Sequence, residues 1–418
     1  MSPVRVLHVN KFLHRRGGAE GYMFDVAALQ GARGDVLGFW GMDHPDNQPD
    51  MPMADTFAPY VELDPPPGGL AGLGAAARMV WSPRSRTGIE QALARFEPDI
   101  VHFHNVYHQL SPSVVAAVAA ADVPSVMTLH DYKLACPSYQ LLAGGAPCQD
   151  CVGSGTWHAV VRRCKGGSLA ASTLLATESG IHRALGAWDA VDLFLSPSRF
   201  LADVVRRSGV AEGRIRVLHN VVDPAGEPAA GPGRDVVVAG RLSHEKGVDV
   251  AIRAMAQVPG EAVLHVAGDG PEAPDLRALA DEVAPGRVHF HGRLATGDLH
   301  ELVASCVATV VPSRWHENQP LSVLESFALG VPVVSTDLGG LPELVTDGVT
   351  GRLVPAEQPA ALAAALTAMI CEPEAAHEMG RRCLALVAAD FSASSHLAGL
   401  DAAYRDAAHT RPVAGVGA

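Results

Sequence analysis

The chain opens with Val4-Arg5-Val6-Leu7-His8-Val9, followed by a loop that contains Gly17-Gly18 and by a helical pattern over residues 19–29. Short runs rich in β-branched residues predict strands, and an apolar repeat of three to four residues predicts a helix. A strand, a glycine-containing loop and a helix in this order form the building unit of a doubly wound parallel sheet. The first thirty residues therefore predict an α/β fold.

Similar apolar runs recur along the chain, each ending in polar residues. Parallel strands carry functional residues at their carboxyl ends, so we expect the site there. Residues 42–68, rich in Pro, Asp and Gly, predict an excursion from the sheet, and residues 223–234, with three prolines and three glycines, predict a linker. Two Rossmann-like domains that face each other across a cleft would account for this recurrence of strands on both sides of a linker. The predicted strands after the first are 100–103, 125–129, 193–196, 236–239, 263–266, 288–290, 308–311, 331–335 and 351–354.

Composition and charge narrow the class of protein. With 418 residues, 48% of them hydrophobic and 18% charged, the chain can build two or three cores. The net charge of −13 divides into 19 Lys and Arg against 20 acidic residues up to residue 220, and 13 against 25 beyond it. Nucleic-acid binders show a basic face, so no nucleic-acid partner is expected. The chain shows neither a signal-peptide pattern nor 18 consecutive uncharged apolar residues, which predicts a cytoplasmic protein.

The stretch from Trp315 to Val334 carries two carboxylates at a predicted helix start. Pro320 suits the first turn of a helix and Gly330 its C′ position, which places Glu317 in the preceding loop and Glu325 inside the helix. Carboxylates can accept hydrogen bonds from pairs of sugar hydroxyls, and free amides at a helix start bind phosphate or sugar oxygens. The amides expected there belong to Asn318, Gln319, Leu321 and Ser322.

A second cluster, Gly240-Arg241-Leu242-Ser243-His244-Glu245-Lys246-Gly247, directly follows a predicted strand. A guanidinium and an ammonium at a strand-to-helix turn can clamp a diphosphate. The sequence contains no Asp-x-Asp, the usual metal-diphosphate motif, so we expect catalysis without a metal cofactor. Arg241 and Lys246 would then stabilise the charge that builds on a departing diphosphate. Surface salt bridges are the alternative role for both residues.

These motifs together resemble glycosyltransferase family 4, whose members are retaining enzymes of the GT-B fold. The resemblance extends in order over most of the chain, and the series is far more specific than any one motif. The residues that carry it are Gly17-Gly18-Ala19-Glu20, Thr128-Leu129-His130-Asp131, Ser196-Pro197-Ser198, His219-Asn220-Val221-Val222-Asp223, Gly240-Arg241, Glu245-Lys246-Gly247, Gly268-Asp269-Gly270-Pro271, Glu317 and Glu325.

The resemblance implies an N-terminal acceptor domain over 1–222 and a C-terminal donor domain over 235–388. A last helix over 389–410 would return to the N-terminal domain. The reaction implied is transfer of a hexosyl-type group from a nucleotide-diphosphate sugar to a sugar, lipid-linked or small-molecule acceptor. It would serve polysaccharide, glycolipid or glycosylated natural-product synthesis.

The resemblance also assigns roles to individual residues. The catalytic set would be His130, Arg241, Lys246 and Glu317, with His130 beside the scissile bond and Glu317 on the donor sugar. Glu325 would contact the ribose. The other donor-binding residues would be Gly17, Gly18, Gly268, Gly270, Arg293, Asn318, Gln319, Pro320 and Leu321.

Four cysteines lie in a predicted insertion at about 133–167. Cys136, Cys148, Cys151 and Cys164 follow the pattern C-x11-C-x2-C-x12-C. Four thiolates could form a closed tetrahedral zinc site, but the segment holds only one C-x-x-C, so reduced or redox-active thiols and disulfides stay open as alternatives. This cysteine-bearing insertion resembles those of transferases that build cell-surface polysaccharides.

The predicted helix over 168–185 carries Leu169, Thr173, Leu174, Ile181 and Leu185 on an apolar stripe, with basic residues nearby. Core packing is the favoured interpretation of this stripe. A peripheral contact with the inner face of a membrane, or with a lipid-diphosphate acceptor, is the alternative.

Two other classes of function compete with glycosyl transfer. A nucleotide-sugar epimerase could share the fold, and a non-catalytic sugar-binding protein could retain a decayed site. The second is disfavoured because none of the six expected site residues has been lost: Gly18, His130, Arg241, Lys246, Glu317 and Glu325. No clear carboxylate nucleophile lies on the N-terminal side of the expected site, which favours same-face attack over double displacement.

Overall fold

The structure is a computed structural model that describes residues 3–63, 69–223 and 233–409. It contains two six-stranded parallel sheets, one in each half of the chain, and a two-stranded hairpin. Residues 224–232 of the predicted linker and residues 64–68 of the predicted excursion lie outside the described residues. The two sheets with their covering helices confirm the predicted α/β fold of two Rossmann-like units.

The N-terminal sheet has the strand order β2-β1-β3-β4-β7-β8, and β5 and β6 form the antiparallel hairpin. The strand order reverses between β1 and β3, and ligands of doubly wound sheets bind at such a switch point. The sequence missed β2 and β8. The strands are β1 Arg5–Val9, β2 Val36–Trp40, β3 Ile100–Phe103, β4 Ser125–Thr128, β5 Leu142–Ala143, β6 Ala146–Pro147, β7 Leu193–Ser196 and β8 Ile215–Val217.

The C-terminal sheet has the order β11-β10-β9-β12-β13-β14, which is the 3-2-1-4-5-6 order of dinucleotide-binding domains. Its switch point lies between β9 and β12. All six strands were predicted within two residues of their observed ends. They are β9 Val236–Ala239, β10 Leu264–Ala267, β11 Val288–Gly292, β12 Ala308–Val311, β13 Val333–Thr336 and β14 Gly351–Val354.

Fifteen α-helices in the described ranges cover the sheets. Short 3₁₀ turns cover Ala54–Thr56, Glu212–Arg214 and His244–Lys246, and a π-helical turn covers Val387–Phe391. The helices are α1 Gly18–Arg33, α2 Gly69–Val80, α3 Pro83–Phe96, α4 Ser113–Ala120, α5 His158–Val161, α6 Leu169–Ala184, α7 Arg199–Arg207, α8 Val248–Met255, α9 Ala273–Val283, α10 Thr296–Ala304, α11 Leu321–Ala328, α12 Leu341–Leu344, α13 Pro359–Cys371, α14 Pro373–Leu386 and α15 Ala393–His409.

The last helix crosses back to the N-terminal sheet, as predicted. The amide of Val222 donates to the carbonyl of Phe391 at 3.0 Å, which fixes the crossing point. Beyond it, Leu400 and Tyr404 of α15 pack with Val6 and other core residues of the N-terminal sheet. The last helix therefore belongs to the core of the N-terminal half, and the turn at Phe391 that precedes it belongs to the core of the C-terminal half.

Within the described ranges, one helical segment, Pro373–His409, is long and apolar enough to cross a membrane by length and composition. Buried residues of this segment line both cores: Cys383 and Val387 pack in the C-terminal half, and Leu400 and Ala407 pack in the N-terminal half. These contacts within the protein explain why the buried side of the segment is apolar.

The apolar stripe of α6 does not pack in the core, so the favoured interpretation of that stripe is wrong. Leu169 and Leu185 are exposed. The helix instead buries a face of mostly small and polar residues that includes Ser172, Ser179 and Glu178. The reason is the buried Glu178 carboxylate, which accepts a hydrogen bond from the Lys133 ammonium at 2.6 Å and so requires the polar face to turn inward.

Candidate active site

The loop before α11 and the start of that helix form the centre of the candidate site. Pro320 is the N-cap residue, and Gly330 lies just past the helix with φ +71°, the left-handed conformation that favours glycine. Glu317 lies in the loop and Glu325 inside the helix, as predicted. The first amides of α11 have no acceptor within the helix and are available to a ligand.

Glu317 is buried and forms an ion pair with Lys246. The Lys246 ammonium donates to Oε1 of Glu317 at 2.7 Å, and the Ser313 hydroxyl donates to the same oxygen at 2.6 Å. The ammonium also lies 5.3 Å from the centre of the Trp315 ring. Burial alone would raise the pKa of Glu317, but the charge and hydrogen bond of Lys246 hold it below its ordinary value. The carboxylate is therefore ionised at neutral pH.

This pair assembles two motifs at the switch point of the C-terminal sheet. Lys246 follows β9 and Glu317 follows β12, and these strands are neighbours. Arg241, in the same loop as Lys246, is exposed, and its guanidinium forms no hydrogen bond or ion pair with any of the described residues. A free guanidinium and a partly exposed ammonium in one loop are suited to an anionic ligand.

Gly268 and Gly270 are required by the close approach of two loops. A Cβ atom at Gly268 would lie 1.8 Å from the carbonyl oxygen of Gly240, and one at Gly270 would lie 2.2 Å from that of Leu242. Neither position can hold a side chain without moving the loop that carries Arg241. Arg293 follows β11 and is exposed.

Glu325 is half-buried on α11. No residue in the described ranges donates a hydrogen bond to its carboxylate or pairs with it, and burial raises its pKa. Among the described residues, no hydrogen bond or ion pair joins the Lys246–Glu317 pair to Arg241, Arg293 or Glu325.

The glycine loop of the N-terminal half reaches the start of α11. Gly17 is the N-cap residue of α1, with an extended backbone. A Cβ atom at Gly18 would lie 3.9 Å from Cδ1 of Leu321. The loop after the first strand therefore faces the first residue of α11, where both were predicted.

Asn318 and Gln319 form contacts between the two halves of the chain. Nδ2 of Asn318 donates to the carbonyl of Leu129 at 3.2 Å, and Oδ1 of Asn318 accepts from the Ser198 hydroxyl at 2.8 Å. Nε2 of Gln319 lies 2.8 Å from Nδ1 of His219. In this arrangement both side chains hold the domains together, and only their backbone amides remain for a ligand.

His130 lies two residues beyond β4, next to the carbonyl that Asn318 contacts. Its Nε2 is 3.1 Å from Nδ1 of His104, and the Tyr22 ring lies edge-on to it at 5.4 Å. Burial lowers the pKa of His130 to about 3. A neutral imidazole therefore lies next to the hydrogen bond between Asn318 and Leu129 that joins the two halves of the chain.

Sequence reasoning missed two sets of residues at this cleft. Glu343 of α12 accepts hydrogen bonds from the amides of Arg199 and Phe200 at 2.7 and 2.6 Å, a cross-domain contact at the start of α7. Lys11 and Asp131 interact electrostatically on the N-terminal side; burial lowers the pKa of Lys11 and raises that of Asp131. The only sequence signals were the Ser-Pro-Ser motif before α7 and the position of Asp131 beside His130.

The four insertion cysteines flank the hairpin of β5 and β6 in the sequence, one before it and three after it. All are free thiols, and Cys136 and Cys151 are buried. Burial raises the pKa of Cys151 to about 12, and the other three cysteines add to that rise, which shows that the four lie near one another. Among the described residues, however, the sets of three candidate ligands within 4.8 Å are histidine-based and do not include these cysteines.

Comparison with known proteins agrees with this geometry. A model of Glycosyltransferase Family 4 matches residues 16–225, half of the chain, and a model of Glycosyl transferases group 1 matches residues 223–383. An α-maltose-1-phosphate synthase from Mycobacterium tuberculosis is 28% identical over 314 residues, which cover 68% of this chain and 74% of that protein. A D-inositol 3-phosphate glycosyltransferase from Mycobacterium avium is 36% identical over 190 residues, 44% of this chain and 45% of that protein.

Solved structures show the same fold. A sucrose-phosphate synthase from Thermosynechococcus elongatus superposes with a TM-score of 0.70 at 19% identity, covering 98% of this chain and 100% of that one. The Anabaena protein HepE, solved with UDP and glucose, superposes with a TM-score of 0.67 at 18% identity, covering 96% and 99%. The two facing sheets, the returning helix and the family match over half of the chain show that it belongs to glycosyltransferase family 4 and is a glycosyltransferase.

Proposed function

We propose that this enzyme transfers a hexosyl-type group from a nucleotide-diphosphate sugar to an acceptor hydroxyl and retains the configuration at the anomeric carbon. The observation that carries the proposal is the Lys246–Glu317 ion pair at 2.7 Å, beside the amino end of α11. This pair places a cation that can bind a diphosphate beside a carboxylate that can accept hydrogen bonds from sugar hydroxyls. Both groups lie at the switch point of the C-terminal sheet.

The donor would occupy the C-terminal side of the cleft. Arg241 and Lys246 would hold the diphosphate, and Glu317 would accept hydrogen bonds from the transferred sugar. The unpartnered carboxylate of Glu325 would accept from the ribose, which would satisfy a group that is now half-buried without a partner. The nucleotide bound to the Anabaena relative supports this class of donor.

In the reaction we propose, the bond between the anomeric carbon and the diphosphate oxygen breaks. The acceptor oxygen bonds to the same face of that carbon, and its proton passes to the departing diphosphate oxygen. Arg241 and Lys246 stabilise the developing negative charge, and His130 borders the transferred sugar. Such preorganised cations act where charge develops in the transition state, so no metal is required for this step.

Thermal shifts against UDP-, GDP-, ADP- and dTDP-sugars test the donor class. A donor at 100 times its dissociation constant adds about 2.7 kcal/mol of stability. We expect Glu325→Gln to weaken donor binding at least tenfold, because a charge-assisted hydrogen bond to the ribose is lost. Glu282→Gln, an exposed change on α9, is the matched control.

Transfer itself is tested by nucleotide release and by the anomeric signals of the product. Release that depends on an added acceptor and a product with the donor's anomeric configuration are expected. Acceptor-independent isomerisation of the donor would indicate an epimerase, and donor binding without turnover would indicate a sugar-binding protein; either result overturns the proposal.

We further propose that Cys136, Cys148, Cys151 and Cys164 bind a structural zinc. The segment they span has little regular structure apart from the hairpin and α5, and its small core contains Cys151 and Cys164 themselves. The hairpin needs support because it reaches the donor loop: a Cβ atom at Gly145 would lie 3.0 Å from Nε2 of His244. Zinc would draw the four sulfurs to about 2.3 Å from one ion.

Metal content of protein purified under reducing conditions tests this proposal. One zinc per chain is expected, lost in Cys148→Ser/Cys151→Ser and kept in Cys371→Ser, which changes an exposed cysteine outside the cluster. Protein without zinc, or mass spectra that show the four cysteines joined in disulfides, would contradict it.

The acceptor side supports a further proposal, contact with an anionic membrane surface through the N-terminal domain. Exposed apolar side chains lie on or next to α2, α5 and α6, of which α2 and α5 both contact α6, and two basic residues follow α5 directly. Apolar insertion combined with attraction to anionic lipid is how peripheral proteins bind membranes. The exposed apolar residues are Leu73, Trp81, Trp157, Val161, Leu169 and Leu185, and the flanking basic residues are Arg162 and Arg163.

Co-sedimentation with vesicles of phosphatidylglycerol tests the membrane proposal. We expect binding that falls at least tenfold in Trp157→Ser/Val161→Ser and is unchanged in Val349→Ser, which changes an exposed residue of the C-terminal half. Absence of binding, or equal binding to phosphatidylcholine, would argue against it. The cytoplasmic location stays a prediction.

A further inference from the structure

A row of histidines lies inside the N-terminal domain behind His130. His8 of β1 and His102 of β3 are register partners in neighbouring strands, and His104 follows β3 directly. These three side chains are completely buried. Only His130, at the cleft, has a role in the proposed reaction, so the buried histidines need an explanation of their own.

Three of the four histidines and one glutamine form a continuous chain of hydrogen bonds. Oε1 of Gln30, on α1, lies 2.9 Å from Nε2 of His8. Nδ1 of His8 lies 3.1 Å from Nε2 of His104, and Nδ1 of His104 lies 3.1 Å from Nε2 of His130. The chain therefore connects a buried carboxamide to the cleft.

The rings in this chain are neutral. Burial lowers the pKa of His8 to about 4 and that of His130 to about 3, and it lowers the pKa of His104 well below its ordinary value. A neutral imidazole has one N–H donor and one acceptor nitrogen. Each ring in the chain must therefore donate on one side and accept on the other.

The direction of the chain follows from Gln30. Its Nε2 donates to the Tyr404 hydroxyl at 3.1 Å, which leaves the carbonyl oxygen facing His8. A carbonyl only accepts, so Nε2 of His8 carries the proton and Nδ1 accepts from His104. His104 therefore carries its proton on Nε2, and its Nδ1 accepts a hydrogen bond from Nε2 of His130. This leaves Nδ1 of His130 unprotonated.

We propose that Gln30 is a positioning residue that fixes the tautomer of His130 through His8 and His104, so that Nδ1 of His130 accepts a hydrogen bond from a hydroxyl of the transferred sugar. The first part concerns the resting protein; the second rests on the proposed function. Nδ1 of His130 forms no hydrogen bond with the described residues, which leaves it available to a ligand. Hydrogen bonding on one ring nitrogen fixes the other in this way in many enzyme sites.

A metal site is the competing explanation, because the ring nitrogens of His8, His102 and His104 lie close enough together to hold an ion. Both nitrogens of His102 are already hydrogen-bonded, Nδ1 to the Tyr404 hydroxyl at 2.9 Å and Nε2 to the Thr128 hydroxyl at 2.7 Å. Both nitrogens of His8 and of His104 are also in use. Coordination would break this network, so the hydrogen-bonded chain is the better account.

Nitrogen chemical shifts of ¹⁵N-histidine-labelled protein test the tautomer without any substrate. In the native protein we expect His8, His104 and His130 each to carry the proton on Nε2. A proton on Nδ1 of His130 would overturn the proposal. This reading does not depend on turnover, so it remains decisive even if the proposed transfer reaction is wrong.

Gln30→Met tests the role of the carboxamide. We expect it to leave His130 in a mixture of tautomers and to lower kcat about tenfold, the cost of one hydrogen bond made in the transition state, with the donor KM within twofold. Thr350→Val, a buried polar change in the C-terminal half, should leave the His130 tautomer unchanged. A single native tautomer in Gln30→Met, or a lost tautomer with native kcat, would refute the positioning role.

Discussion

Lys246→Met separates the structural role of the Lys246–Glu317 pair from its catalytic role. The side chain of Glu317 is 6% exposed and that of Lys246 is 30% exposed. Breaking a fully buried pair costs about 3–5 kcal/mol, whereas an exposed pair contributes about 1 kcal/mol or less. For this half-buried geometry we expect a loss of about 2 kcal/mol, since the Ser313 hydroxyl still donates to the carboxylate.

Transfer should fall further than stability does. Removing one group that stabilises developing charge typically lowers kcat by about 10²–10³, which corresponds to about 2.7–4 kcal/mol. Urea unfolding of the whole chain, followed by circular dichroism, measures the loss of stability. Steady-state kinetics with the nucleotide sugar identified by thermal shifts measure the loss of transfer. Arg382→Met, an exposed change on α14, is the control for loss of a cation.

The double variant Lys246→Met/Glu317→Gln gives the decisive result. Removing both charges leaves no buried ion unpaired, so the free energy of unfolding should return to within about 1 kcal/mol of the native value. Transfer should stay at or below the level of Lys246→Met. Recovery of transfer together with stability would show that Lys246 acts only by supporting the fold and would refute its catalytic role.

Two further changes test contacts at a distance from the donor loop. Glu178→Gln should cost about 3 kcal/mol at pH 7, because Lys133 and His108 hold the pKa of Glu178 at about 2 despite a burial that would raise it. A carboxyl group whose pKa is lowered by folding stabilises the folded protein at pH values above its ordinary pKa of about 4.5. The difference in free energy of unfolding between native protein and Glu178→Gln, measured in urea, should therefore narrow as the pH falls towards 2. A difference that stays constant with pH would contradict this. Glu343→Gln should weaken the cross-domain contact by about 1.5 kcal/mol and speed amide exchange at Phe200 about tenfold, with Glu282→Gln unchanged; native exchange at that amide would exclude the contact in solution.

The sequence was sufficient for the strands that are mostly apolar and buried. Runs such as Val236–Ala239 and Leu193–Ser196 lie inside a sheet covered on both faces, so their composition alone identifies them. The missed strand Val36–Trp40 contains a glycine and follows α1 after two residues, and Ile215–Val217 is a three-residue edge strand with half-exposed side chains. The short, half-exposed run Ile215–Val217 leaves no local pattern that separates it from a loop.

The motifs also predicted which loops carry the site, because parallel strands place their carboxyl ends at one edge. Glu317, Glu325, Gly330 and the glycine loop at Gly17-Gly18 all lie where the helix signals placed them. These signals are local, since capping and left-handed glycine depend on neighbouring residues only.

Tertiary structure alone decided which side chains meet. Lys246 and Glu317 are 71 residues apart and pair only because β9 and β12 are adjacent. The motif assigns Asn318 to donor binding, but its side chain donates a hydrogen bond to the carbonyl of Leu129 in the opposite domain. The histidine chain depends on the register of β1 and β3, which brings His8 within 3.1 Å of His104. Strand order and register are properties of the whole sheet, and a linear sequence of local preferences does not specify them.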